Sequence, residues 1–214
     1  MHNTAKSLGG AIFMWASHQL LISDNSYIAH NRAGRGGGAL ATNPQPSACL
    51  VSVFGDALLE NNTAPRGGAI WSYGNVLIGP RGTVRNHYAE IDGGAVWSGL
   101  GATIEVIGES EVSGNLAENH GGAFYLSGPA KEPGDGSHVT PEQERRLHYY
   151  GDVVRAIDID VNSSFIANNS ARTGDGGVAY IDGANRFVII DSSTITNNSA
   201  SAGAPDAVFP HQPW

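Results

Sequence analysis

Six residues hold one recurring place in this chain, directly after Gly-Gly, a small residue and one further residue, apolar in every copy: Phe13, Ala41, Trp71, Trp97, Tyr125 and Tyr180. Aromatic faces at a fixed repeat can stack on the C–H faces of sugar rings or anchor a protein partner. If the preceding Ile12, Leu40, Ile70, Val96, Phe124 and Ala179 point inward, strand alternation sends the aromatic row outward. Trp71, Trp97, Tyr125 and Tyr180 are therefore the candidate binding residues. The competing readings are that these rings stack on one another, lie beneath a loop, or face the core.

Carboxylates are the second candidate chemistry. Asp158 and Asp160 share one side of the strand expected over 156–161, with Arg155 beside them in sequence and Glu105 as a possible neighbour. Paired acids hold calcium or cleave glycosidic bonds. Alternating polar residues also describe the solvent face of any strand. The eight histidines fall singly, without metal spacing. Cys49 is the only cysteine, which excludes an internal disulfide and a thiolate zinc cluster. No catalytic set, metal site or cofactor is expected.

Composition narrows the partners. Net charge is −8 with only 12 basic residues and no basic cluster, which argues against a nucleic-acid groove or an anionic membrane surface. No apolar run approaches the length that crosses a bilayer, so membrane insertion by this segment is not expected. The opening residues Met1-His2-Asn3-Thr4 lack the basic and apolar regions of a signal peptide. They begin inside a repeat, so a fragment of a longer chain is expected.

The elements that must position these residues are written in the repeat itself. Gly-Gly plus a small apolar residue starts at Gly9, Gly37, Gly67, Gly93, Gly121 and Gly176, in steps of 28, 30, 26, 28 and 55 residues, the last close to two periods. A second motif, apolar-x-x-Asn-x-Ala, keeps the same beat from Ile28, Leu59, Val112, Ile166 and Ile195, with His87 at the Asn place in one copy. Fixed-period self-similarity marks a solenoid. β-Branched residues between dense turns read as three short strands per repeat. Stacked in parallel, they predict an all-β, right-handed parallel β-helix of about seven rungs over residues 1–214. Paired glycines supply positive φ and close approach between turns. The series Asn3, Asn31, Asn62, His87, Asn115, Asn169 and Asn198 reads as a hydrogen-bonded ladder, with Asn also tolerating the left-handed region.

One repeat is overlong. The excess falls at 128–153, an insertion between strands of the fifth rung that is rich in Gly, Pro and charge. Within it Thr140-Pro141-Glu142-Gln143 has the form of a capping box and predicts a short helix. Such insertions project from one face and either assist binding or are tolerated surface excursions.

Gly9-Gly10-Ala11-Ile12, Gly67-Gly68-Ala69-Ile70 and Phe165-Ile166-Ala167-Asn168 resemble the repeats of chlamydial polymorphic outer-membrane proteins. That family consists of autotransporter passengers with a right-handed parallel β-helix of pectin-lyase-like architecture, implicated as surface adhesins. The resemblance implies an extracellular or cell-surface location and a non-catalytic binding or adhesion role, with a glycan or cell-surface protein as partner. The polygalacturonases of related fold carry Asp-Asp, Gly-His-Gly and Arg-x-Lys; this chain has no Asp-Asp, and its only lysines are Lys6 and Lys131. The alternatives are a polysaccharide lyase or glycoside hydrolase using Asp158 and Asp160, and a structural stalk.

Overall fold

The computed structural model describes residues 2–15, 19–43, 49–99, 102–127, 158–182, 186–190, 192–201 and 208–211. The insertion 128–153 and its expected helix lie outside these residues.

Every pairing between strands is parallel and joins one repeat to the next, so the chain winds as a parallel β-solenoid. Each turn passes through four sheets, here A to D in chain order. Sheets A and B have seven strands, and C and D have six. The third turn is representative: Thr63–Arg66 in A, Ile70–Ser72 in B, Asn75–Ile78 in C and Thr83–Arg85 in D. The expected three strands per repeat are thus four. The additional one is the Asn-x-Ala stretch, reduced to two residues in most turns. The two six-stranded sheets limit complete four-sided turns among the described residues to six, slightly below the expected seven.

Sheets B, C and D supply the core. Ile70 and Val96 from B, Val76, Ile78 and Ile104 from C, and Val84 from D are essentially inaccessible to solvent and form one apolar cluster. Sheet A contributes buried alanines outside that cluster, Ala33, Ala64, Ala89 and Ala117 among them. A two-residue strand squeezed between two corners has space inside for a methyl group and little more.

The corners explain the rest of the repeat. At the A–B corner the two glycines do different work. The first has positive φ, 58° at Gly67 and 66° at Gly93, a region that L side chains rarely adopt. The second lies against the next turn: a Cβ on Gly68 would sit 2.2 Å from the Gly94 carbonyl oxygen, and one on Gly94 2.0 Å from that of Gly122.

At the D–A corner the ladder is present. Asn31 Nδ2 donates to Asn62 Oδ1 at 2.9 Å, Asn115 Nδ2 to Asn169 Oδ1 at 2.9 Å, and Asn169 Nδ2 to Asn198 Oδ1 at 3.0 Å. The backbone N–H of each donates to the same oxygen. Ladder side chains also reach back to the inward apolar residue of the previous turn: Asn62 to the Ile28 carbonyl, Asn115 to Val84 and Asn169 to Val112. The left-handed backbone, however, belongs to the residue before the ladder. His30, Asn61, Asn86, Asn168 and Asn197 have φ between 52° and 59°. Three of these, Asn61, Asn168 and Asn197, begin Asn-x-Ser/Thr sequences, so those sequons follow from the corner geometry.

His87 fits the ladder as a neutral ring. Its Nδ1 accepts the Asn62 N–H at 3.0 Å, and its Nε2 donates to the Leu59 carbonyl at 3.0 Å. Burial lowers its pKa to about 3.

A candidate binding face on sheet B

The strands of sheet B put the aromatic row where alternation requires. Ile70 pairs with Val96, Trp71 with Trp97 and Ser72 with Ser98. Val96 then pairs with Phe124, Trp97 with Tyr125, and Tyr125 with Tyr180. The residues flanking the row face the core, so Trp71, Trp97, Tyr125 and Tyr180 form one column on the outer side of the sheet.

The column is outward from the core but not fully open to solvent. Trp97 is 1 % exposed and Tyr125 9 %, whereas Trp71 and Tyr180 are half-buried. The rings pack on one another. Trp97 and Tyr125 are stacked at 6.4 Å between centroids, and Tyr125 and Tyr180 at 5.3 Å. Trp71 meets Trp97 edge-on at 5.5 Å, and Tyr73 meets Trp97 edge-on at the same distance. Mutual stacking and outward display are therefore both true, and the middle of the column is the less accessible part.

A polar row runs beside it, at the residue preceding four of the six Gly-Gly pairs: Arg66, Asp92, His120 and Asp175. Arg66 Nε lies 3.9 Å from Asp92 Oδ2. The His120 N–H donates to Asp92 Oδ1 at 3.3 Å, and His120 Nδ1 accepts the Asp175 N–H at 3.1 Å. Burial pushes the Asp92 carboxyl above the usual carboxylate range, against the opposing pull of the His120 backbone N–H and Arg66. The His120 ring packs at 4.5 Å on Tyr180. In the earlier turn this place is Gly36, where a Cβ would strike the Trp71 ring at 2.1 Å. Glycine there lets the indole lie across the neighbouring turn.

Three buried donors in this region have no acceptor: Trp71 Nε1, Trp97 Nε1 and Arg66 Nε. An unsatisfied buried polar group costs about 1–3 kcal/mol. The fourth unpartnered buried atom among the described residues, Ser98 Oγ, is on the inward side of the same strand.

Sequence reasoning missed the most exposed aromatic on this face. Trp15 is 71 % exposed and packs edge-on against Phe13, itself 41 % exposed, at 5.9 Å between centroids. Trp15 stands two residues beyond Phe13, as Tyr73 does beyond Trp71, making a second outward column. Its signal was the recurrence of an aromatic at that offset in two repeats.

The carboxylates are only partly assembled. Glu105 and Asp160 are cross-strand partners in sheet C, with Leu77 before them and Val188 after. Asp158 pairs along the backbone with Arg186, and Arg155 is outside the described residues. Among the described residues no group of three or more His, Cys, Asp or Glu could hold a metal ion. Cys49 is buried. No described helix is long and apolar enough to cross a membrane.

The fold and this face define the class as a parallel β-solenoid with an aromatic column on one outer sheet. Comparison with known protein families, with curated proteins and with solved structures finds no match.

Proposed function

We propose that the chain is a non-catalytic binding or adhesion module of a secreted or surface-exposed protein, taking a glycan or a cell-surface protein on the outer face of sheet B. The observation that carries this reading is the column Trp71, Trp97, Tyr125 and Tyr180 on a face turned away from the core. Rings of this kind offer an apolar face with a polar handle, the combination that contacts sugars and protein partners use. The resemblance to autotransporter passenger repeats supports the extracellular setting and the adhesive role. The reading needs no cofactor.

The test is a glycan array and a cell-surface binding assay on wild type, Trp71→Ala and Tyr180→Ala, with the fold checked by circular dichroism. Binding that falls at least tenfold in Trp71→Ala is expected. Folded variants that bind as well as wild type would remove the column from the function. The adjacency of Glu105 and Asp160 favours one second reading, a polysaccharide-cleaving enzyme. New reducing or unsaturated ends released by wild type and lost in Asp160→Asn would establish it in place of the first.

A further inference from the structure

The corner that produces three of the sequons also decides what those sequons can accept. Four Asn-x-Ser/Thr sequences begin at Asn61, Asn162, Asn168 and Asn197. Asn61, Asn168 and Asn197 hold the left-handed place at the D–A corner and are exposed to solvent. The adjoining ladder residues Asn62, Asn169 and Asn198 are at most 3 % exposed, and their carboxamides are committed to neighbouring turns. The corner carboxamides, in contrast, make no hydrogen bond among the described residues. Thr63, Ser170 and Ser199, two residues on, stand on the outer row of sheet A, each followed by the alanine that points inward. Asn162 is closed by comparison. It ends the strand Asp158–Asn162, is half-buried, and its Oδ1 accepts the Ser163 hydroxyl at 2.8 Å. Ser164, the hydroxyl residue of that sequon, is 4 % exposed and donates to the Asn162 carbonyl at 2.8 Å.

We infer that Asn61, Asn168 and Asn197 are acceptors for N-linked glycosylation, which places covalent sugar along the D–A corner of the column. The inference rests on the secreted or surface-exposed setting proposed above. It is separate from the binding face, because sheet A lies between this corner and sheet B. The attacking atom is Nδ2. Its bond to the anomeric carbon of a glycosyl diphosphate forms as the bond from that carbon to the diphosphate oxygen breaks. One amide proton is released, the diphosphate departs with the bonding pair, and nothing is oxidised or reduced. A glycan is bulky and needs a surface position with an Asn-x-Ser/Thr sequence. The corner supplies both, on side chains that the fold leaves in solvent and the ladder does not use.

Two samples carry the test, both read by glycopeptide mass spectrometry. The folded whole chain is incubated with a soluble asparagine glycosyltransferase and a nucleotide-activated hexose, and the protein from its native cells is fractionated by compartment. The expected result is hexose on Asn61, Asn168 and Asn197 of the folded chain, with occupancy at least tenfold lower at Asn162. Thr63→Val, Ser170→Ala and Ser199→Ala should each remove their own site alone, with the circular dichroism spectrum unchanged. Asn86 supplies the reverse case: it is exposed and left-handed at the same corner, but Tyr88 stands two residues on. Tyr88→Thr should therefore gain a sugar at Asn86, which a purely structural corner would not produce. Sugar on Asn162 in preference to the corner, or none on Asn86 in Tyr88→Thr, overturns the assignment. A native protein found outside the cell without sugar overturns the modification alone and leaves the binding role standing. One retained inside the cell without sugar overturns the secreted setting with it.

Discussion

His87 is where the ladder changes chemistry. An Asn offers an oxygen that never titrates, but the imidazole must keep Nδ1 unprotonated to accept the Asn62 N–H. With its pKa lowered to about 3 by burial, the folded protein refuses a proton that the unfolded chain takes up at the ordinary imidazole value of 6.5. The unfolded state therefore binds more protons between these values, so stability rises with pH across that window. The contribution of His87 is intact above about pH 6.5 and is lost as pH falls towards about 3. His87→Asn should flatten the acid limb of a plot of urea midpoint against pH, with little change at pH 7.5. Asn115→Ala tests the ladder without titration. It strips the acceptor from the His87 N–H and the donor from the Val84 carbonyl, both buried. A loss of about 1–3 kcal/mol in equilibrium unfolding is expected.

At the scale of the element, glycine marks what sequence could reveal. Six Gly-Gly pairs in phase disclosed the solenoid and its A–B corner because no other residue serves there: the first needs positive φ, and the second has a carbonyl where its Cβ would be. Gly94→Ala is therefore expected to lower the melting temperature sharply, meeting the Gly122 carbonyl at 2.0 Å. Gly79→Ala, whose nearest neighbour would be the Phe54 Cβ at 3.2 Å, should cost far less. Paired thermal melts decide it. Sheet A was illegible for the opposite reason. Two-residue strands such as Arg32–Ala33 and Leu116–Ala117 have no alternation to read, and their inward residue is a plain alanine. The left-handed corner was placed one residue late because Asn stands at both positions in Asn61-Asn62, Asn168-Asn169 and Asn197-Asn198. The candidate face was legible as a row and not as a surface. Alternation gives direction from the core, whereas the closure of Trp97 beneath Trp71, Tyr73 and Tyr125 is a property of three successive turns.

For the whole molecule, register is set between turns rather than along the chain. Phe124–Leu126 and Asp158–Asn162 each pair on both sides with strands of adjoining turns, irrespective of the residues that link them. Elsewhere the same B–C link needs only the five residues 99–103. Replacing 128–157 by a five-residue linker should leave the far-ultraviolet spectrum of the column unchanged, and a collapse of that spectrum would show that the segment helps to fold it. Exposed ion pairs such as Arg32–Glu90 and Arg81–Asp56 add little on this scale, since pairs of this kind contribute about 0–1 kcal/mol and are screened by salt.

The hydrogen bonds between turns, backbone and ladder alike, all run along the axis of the column. A pull applied at the two ends therefore loads one turn at a time, as a zipper is opened, and never the whole sheet in shear. Each turn that yields releases about 28 residues, or roughly 90 Å of slack at about 3.3 Å per residue. Under tension the protein would pay out in regular increments, a tether whose length responds to force in steps written by its own repeat.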